Sequence, residues 1–214
     1  LHHRLAQQTP PRKPALPANA SEQPTEDFGG HDYLGLARHF QVLGALQDSC
    51  ARQGLQGGGR QPVHERLEQE VAQWLGFPAA RCFQNMGQAR QAIQQALLSD
   101  EQDVCVQDYL NAPALIDATR LAGCRLRHYP HRDAEGAAWQ LRQSPHGLAV
   151  LVSEGLFEAD GHPAPLRTLA LVAERHQAHL LVDDMHAIGV CGESGGGSVE
   201  QAGLPPSAVT ALVI

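Results

Sequence analysis

The residues with the clearest capacity for chemistry follow an apolar run near the end of the chain. Leu180, Leu181 and Val182 lead directly into Asp183 and Asp184, and His186 comes three residues after Asp183. A carboxylate at the end of a buried strand is unfavourable unless a cation compensates its charge. A protonated pyridine nitrogen is such a cation, and an aspartate beside it strengthens the ring as an electron sink. The pattern therefore indicates a site for a charged heterocycle, with His186 stacked on the ring or hydrogen-bonded to it.

The same residues are also compatible with purely structural roles. An aspartate that follows a strand often caps the next helix, and His186 has the alternative of being a hydrogen-bonded core histidine. A metal site is not expected, because the chain has no CxxC pair and its histidines lack paired ligand spacing. A serine hydrolase is not favoured, because Ser153 has no GxSxG context.

Short apolar runs alternate with amphipathic segments, and this alternation positions the polar residues. The sequence predicts strands at 81–84, 104–107, 125–129, 148–153, 179–182 and 208–214, and helices at 41–52, 63–75, 89–98, 114–122, 134–142 and 166–176. Apolar strands separated by helices favour an α/β fold, with a mostly parallel sheet and helices on both faces. Ligands of such sheets bind beyond the carboxyl ends of the strands, which is where Glu154 and Asp183 fall.

Composition excludes several classes of partner. The formal charge of −7 argues against nucleic acid, whose phosphates require clustered Lys and Arg. No apolar run approaches the roughly 20 residues that a bilayer span needs, so no membrane partner is expected. Five widely spaced cysteines suit a reduced, cytoplasmic protein. The chain begins with Leu1 and ends on the apolar run ALVI, so we expect a piece of a longer protein.

Five blocks along the chain together resemble the α-oxoamine synthase family of pyridoxal-phosphate enzymes. They are DYLGL, GGGR, VHERLEQEVAQWLG, SEGLFEADGHPAPL and VDDMHAIGVCGESGGG, in that order. Each block is weak alone, and their combination over residues 27–214 carries the resemblance. It implies the large domain of a fold type I pyridoxal-phosphate-dependent transferase, incomplete at the C-terminus. Residues 27–214 would be this partial cofactor-binding domain, and residues 1–26, rich in proline and polar residues, an N-terminal helix and linker.

The resemblance also implies a cofactor and the residues that hold it. The cofactor would be pyridoxal 5′-phosphate, with Asp183 at the pyridine nitrogen, His186 near the phenolic oxygen and Glu154 at the previous strand end. The backbone N–H groups of Gly87 and Gln88 would hold the phosphate, since a helix N-terminus attracts anions. The substrates would be an amino acid and an acyl-CoA, condensed with loss of carbon dioxide, and the enzyme would be a homodimer.

Several positions depart from the family pattern. The ring-stacking histidine of the family falls on Ala112, and a serine falls on Glu158, whose carboxylate would repel a phosphate or phenolate. Lys13 is the only lysine and lies in the Pro-rich segment, so no catalytic residue is assigned in this chain. Two functions stay open: an acyltransferase whose cofactor-binding lysine follows Ile214, or a non-catalytic subunit that pairs with an active homologue.

Overall fold

A computed structural model gives the fold of residues 30–54, 59–144 and 147–214, apart from the side chain of Gln53. The predicted N-terminal helix and linker, residues 1–26, lies outside the described residues, as do the first two glycines of the GGGR block. The chain divides into two units, Leu1–His31 and Asp32–Ile214. All the structure that follows belongs to the second unit.

Helices and strands alternate through the second unit. The helices described are α1 (Phe40–Gln53), α2 (Pro62–Leu75), α3 (Met86–Leu97), α4 (Pro113–Ala122), α5 (Ala134–Arg142), α6 (Leu166–Arg175) and α7 (Gly197–Gln201). The strands are β1 (Val104–Asp108), β2 (Arg125–Tyr129), β3 (Ala149–Glu154), β4 (His179–Asp183) and β5 (Ala211–Val213). Short 3₁₀ turns occupy Leu36–Arg38 and Pro206–Ala208. The predicted elements are confirmed within a few residues, except that α7 was not predicted and the strand expected at 81–84 does not form.

The absence of a strand at 81–84 has a local explanation. The backbone N–H of Cys82 donates to the Glu68 carboxylate at 2.9 Å, so a helix side chain takes the bond that a neighbouring strand would otherwise accept. The segment is exposed and leads into Asn85, the N-cap of α3. The apolar and polar residues at 81–84 alone do not distinguish such an extended loop from a strand.

The five described strands form one parallel sheet in the order β2-β1-β3-β4-β5. Strand register places Glu154 opposite Asp183, and Asp183 opposite Val213. The strands therefore end together at one edge, here called the carboxyl edge. Parallel strands need crossover connections, and the helices between them supply these.

Both faces of the sheet are covered, as predicted. On one face, Val106, Leu151 and Leu180 pack with residues of α5, α6 and α7 such as Leu141, Leu169 and Val199. On the other face, Val150, Val152 and Leu181 pack with residues that include Leu115 of α4 and Ile93 of α3. Successive strand residues point to opposite faces, so strands buried on both sides must be apolar throughout.

Helices α1 and α2 leave much of their apolar surface exposed. Phe40 and Leu46 of α1 are 75 % and 60 % exposed, and Val63 and Leu67 of α2 are about half exposed. Val63 and Leu67 therefore lie outside both apolar clusters that cover the sheet. Within the described residues, no helix combines the length and the apolar composition that crossing a bilayer requires.

Candidate functional site

Three buried carboxylates stand at the carboxyl edge of the sheet. Asp108 ends β1, Glu154 ends β3 and Asp183 ends β4, and each residue is at most 2 % exposed. Because the register aligns Glu154 with Asp183, the structure brings together two of the residues that the sequence singled out. Buried carboxylates at the ligand-binding edge of an open α/β sheet are candidates for function.

Asp183 forms a buried ion pair with Arg90. The guanidinium Nε donates to Asp183 Oδ2 at 2.5 Å, and the two side chains are 10 % and 1 % exposed. The other oxygen, Oδ1, accepts the backbone N–H of Met185 at 3.4 Å. Arg90 lies just after the first turn of α3, so this pair draws the start of α3 to the end of β4. The Arg90 guanidinium thus compensates the charge of Asp183, a role that the sequence analysis assigned to a ligand.

Asp184 has a structural role that differs from that of its neighbour. Its Oδ2 accepts the backbone N–H of Ser198 at 2.8 Å, and its Oδ1 accepts the Ser198 hydroxyl. These bonds hold the start of α7, whose N-cap is Gly196, so Asp184 supports a helix start without being its N-cap. Burial raises the pKa of Asp184, while the Ser198 bonds act in the opposite direction. Gly155 and Gly197 pack so closely that a Cβ on either would overlap the Asp184 carboxylate.

His186 is buried and lies between a phenol and a carboxylate. Its Nδ1 is 2.8 Å from the hydroxyl of Tyr33, and its Nε2 is 3.8 Å from Glu158 Oε2. The Tyr33 and His186 rings meet edge to face, with centroids 6.1 Å apart. His186 is therefore a hydrogen-bonded buried histidine whose ring is oriented by Tyr33 of the DYLGL block.

Glu154 joins two loops at the carboxyl edge. Its Oε1 accepts the backbone N–H of Ala112, and its Oε2 accepts that of Glu158 at 2.8 Å. Asn111 also connects the first of these loops to Glu154, because its Oδ1 accepts the Glu154 backbone N–H at 3.1 Å. Burial raises the pKa of Glu154 although both N–H donors lower it. Since both oxygens are engaged, Glu154 positions the loops that carry Ala112 and Glu158.

Gly87 and Gln88 occupy the first turn of α3, as the resemblance requires. The N-cap Asn85 accepts the Gln88 N–H on its side-chain Oδ1 at 2.9 Å, so this donor is engaged within the helix. A phosphate at Gln88 would displace the Asn85 side chain. Gly87 and Gln88 are both exposed, and Arg90 places their turn beside Asp183. Their phosphate-binding role remains a prediction.

Sequence reasoning missed Arg90, Tyr33 and Asn111 as members of this site. Tyr33 lies in a block that marked the family, but nothing in that block indicated a contact with His186. For Arg90 one signal exists: Gln94, four residues later on the same face of α3, is also fully buried. Polar residues spaced by one helical turn on a buried face indicate polar partners there.

Cavity size does not identify the site. A cavity of about 300 Å³ is lined by Pro163, Leu166, Cys191 and Gln201, among others, and one of about 270 Å³ by residues that include Trp74. Neither is lined by Asp183 or His186. The chemistry of the buried groups, rather than the size of a cavity, points to the carboxyl edge.

Comparisons with known proteins agree with the fold and the motifs. The family model for aminotransferase class I and II matches residues 26–211. An 8-amino-7-oxononanoate synthase of Xylella fastidiosa is 53 % identical over 184 residues, which cover 83 % of this chain and 46 % of that protein. The chain therefore spans about half the length of the curated relatives it matches. This likeness confirms the resemblance to the α-oxoamine synthases and to this member among them.

Solved structures confirm the fold. A serine palmitoyltransferase of Sphingomonas wittichii matches with a TM-score of 0.79 and 24 % identity, covering 85 % of this chain and 47 % of that one. An 8-amino-7-oxononanoate synthase of Francisella tularensis matches with a TM-score of 0.71 and 26 % identity, covering 83 % of this chain and 50 % of that one. The unit Asp32–Ile214 has the α/β fold of the fold type I pyridoxal-phosphate-dependent transferases. By its family match and its sequence identity, the chain belongs to the class I and II aminotransferases.

Proposed function

We propose that the complete protein is a pyridoxal-phosphate-dependent acyltransferase of the 8-amino-7-oxononanoate synthase type. It condenses an amino acid with an acyl-CoA thioester and releases carbon dioxide, the reaction that the α-oxoamine synthase resemblance implies. The observation that carries the proposal is the buried Asp183 carboxylate at the carboxyl edge, next to the first turns of α3. DYLGLARH and VDDMH favour this member of the family over 5-aminolevulinate synthase, glycine C-acetyltransferase and the autoinducer synthases.

The residues present fit the ring and the phosphate of pyridoxal 5′-phosphate. When bound, the cofactor supplies an electron sink for the carbon that loses its carboxyl group. Asp183 would hold a proton at the ring nitrogen, and His186, which Tyr33 orients, would lie near the phenolic oxygen. The N–H groups of Gly87 and Gln88 would hold the phosphate. These assignments use the donor and acceptor types that the structure brings to one edge.

No lysine among the described residues can take the aldehyde of the cofactor. Lys13 is the only lysine, and it lies outside the described residues. We therefore expect no turnover from the 214-residue chain itself. Incubation of the chain with pyridoxal phosphate, an amino acid and an acyl-CoA should release no CoA thiol, and release of the thiol would contradict this expectation.

A second function has its own support. A non-catalytic subunit that pairs with an active synthase would tolerate Arg90 on Asp183 and the Glu158 carboxylate 3.8 Å from His186 Nε2. Ala112, at the position of the ring-stacking histidine, favours the same function. The enzymatic function is supported by the retained Asp183 and by Asp184 with its glycine-rich turn.

Assembly and location form part of the same proposal. A homodimer would cover the apolar residues that α1 and α2 expose, Phe40 and Leu67 among them. The described cysteines carry no disulfide, which suits the cytoplasm. Residues 1–26 as a separate helix and linker, and 27–214 as one partial domain, also remain proposals.

Sequencing the gene beyond Ile214 and assaying its full product tests the function. The enzyme requires a lysine soon after this position, together with release of CoA thiol and carbon dioxide from an acyl-CoA and an amino acid. The Asp183→Asn variant should lose most of the activity, whereas Arg120→Gln, on an exposed pair, should keep it. A full product that has no such lysine and releases no CoA would contradict the enzyme and favour the non-catalytic subunit.

A further inference from the structure

From the sequence, a ligand was expected to supply the cation beside Asp183. In the structure, a residue of the chain, Arg90, supplies a cation there. Arg90 Nε lies 2.5 Å from Asp183 Oδ2, and both side chains are nearly inaccessible to solvent. One Nη of the same guanidinium lies 3.9 Å from the Met185 sulfur. Arg90 therefore contacts both the last residue of β4 and the loop that follows it. A guanidinium cannot be deprotonated in proteins, so this charge persists at every working pH.

The groups around Asp183 come from three elements. Glu154 stands opposite on β3, Asp184 follows on the chain, and Arg90 reaches in from α3. After burial and hydrogen bonding, the charge of Asp183 is a further cause that raises the pKa of both Glu154 and Asp184. Asp183 thus has two acidic neighbours, and Arg90 forms the ion pair with it. His186, three residues on, faces Tyr33 and Glu158.

We infer, on the basis of the proposed function, that Arg90 stays on Asp183 when the cofactor binds and keeps the pyridine nitrogen less protonated than Asp183 alone would. Oδ2 is taken by Arg90, so the ring nitrogen must use Oδ1, which among the described residues accepts one long bond, from the Met185 N–H. The carboxylate then shares its negative charge between two cations. A neighbouring positive charge disfavours protonation of the ring. Arg90 is therefore a positioning residue that sets the strength of the electron sink.

The test uses pyridoxine 5′-phosphate, which carries an alcohol in place of the aldehyde and so needs no lysine. The ¹⁵N chemical shift of its labelled ring nitrogen reports protonation across a pH series. We would compare the wild-type chain with Arg90→Gln and Arg90→Lys. Arg120→Gln is the matched control, because it removes the same charge from an exposed pair with Asp117.

We expect the pKa of the bound ring nitrogen to rise by about one or more in R90Q relative to wild type. By linkage, R90Q should then prefer the protonated probe over the neutral one about tenfold more than wild type does. R90K, which keeps a positive charge, should fall between the two, and R120Q should match wild type. Binding of the probe to R90Q with none to wild type would overturn the inference, because Arg90 would then exclude the ring from Asp183 instead of sharing the carboxylate with it.

The wild-type chain carries a test that does not depend on any variant folding. If Arg90 shares Asp183, binding should leave the pKa of the ring nitrogen within about one of its value in water. A rise of about two or more in wild type, or identical titrations of wild type and R90Q, would overturn the inference alone. Failure of every variant to bind the probe would overturn the proposed function, and the inference with it.

Discussion

At the amino edge of the sheet, just before β1, Asp103 is surrounded by backbone donors. Its carboxylate accepts N–H groups from Ser99 and Asp100 at 3.0 Å each and from Leu148 at 2.8 Å. Burial acts to raise the pKa of Asp103, but these donors outweigh it and hold the pKa below its usual value. The ionised form is the stable one here, so this carboxylate contributes to folding.

At the carboxyl edge of the same sheet the balance is reversed for two of the carboxylates. Burial raises the pKa of Glu154 and of Asp184, and Asp183 relies on one arginine 93 residues earlier in the chain. Two carboxylates whose ionised form is disfavoured by burial therefore lie at the edge where an open α/β sheet binds ligands. The amino edge thus holds a carboxylate whose ionised form is favoured, whereas the carboxyl edge holds two carboxylates whose ionised form is disfavoured.

The largest effect is expected in the turn that packs on Asp184. Gly197 has a φ of +83°, and a Cβ there would overlap the Asp184 carboxylate. We expect Gly197→Ala to lower the free energy of unfolding by about 3 to 5 kcal/mol, from backbone strain and overpacking together. Urea unfolding measures it. Gly161→Ala is the control, since its φ is +72° with nothing within 4 Å; an equal loss in both would refute the packing explanation.

Breaking the Asp183–Arg90 pair should have the next largest effect. Removing one partner leaves the other charge buried, so Arg90→Met or Asp183→Asn alone should each lower the free energy of unfolding by about 3 kcal/mol. The double variant should lose much less than the sum, because no charge is then left unpaired. The same cycle on exposed Arg120 and Asp117 should give a coupling of about 0.5 kcal/mol or less. Additive losses at Asp183 and Arg90 would show that the pair is not coupled.

The pH dependence of stability should have opposite signs at the two edges. The lowered pKa of Asp103 gives the folded state an advantage above the unfolded pKa, which is lost as the pH falls through the folded value. Asp103→Asn should therefore lower the free energy of unfolding by about 1 to 2 kcal/mol at pH 7, and by less at pH 3.

For Asp184 the sign is reversed. Its raised pKa means that the folded state binds more protons than the unfolded state, so stability falls as the pH rises from the unfolded through the folded pKa. Unfolding of wild type and Asp184→Asn at several pH values should show wild type losing stability relative to the variant over that window. Parallel pH profiles for these two proteins would contradict the contrast between the edges.

The smallest effect is expected at Tyr33. Tyr33→Phe removes the 2.8 Å bond to His186 Nδ1 and should lower the free energy of unfolding by about 1 kcal/mol or less. Calorimetric titration should show pyridoxine 5′-phosphate binding weakened by less than about fivefold. Tyr109→Phe, at a tyrosine that is 68 % exposed, is the control and should change neither quantity. A loss of all binding in Tyr33→Phe would mean that Tyr33 contacts the ligand itself.

The sheet and its ends were predictable because apolar strands and polar strand ends are local patterns. Those patterns located Glu154, Asp183 and His186, and parallel topology then required the first two to meet. Arg90 could not be found in this way, because a helical spacing says which face is buried but not which distant acid it meets. The pattern VDD also gave two aspartates without saying that Asp184 holds α7.

The most direct measurement is a crystal structure of the chain grown with pyridoxine 5′-phosphate. We expect the ring nitrogen about 2.8 Å from Asp183 Oδ1, with Arg90 still on Oδ2 and the phosphate at the first turn of α3. A ring bound elsewhere, with Asp183 paired to Arg90 alone, would contradict the assignment of the carboxyl edge as the cofactor site.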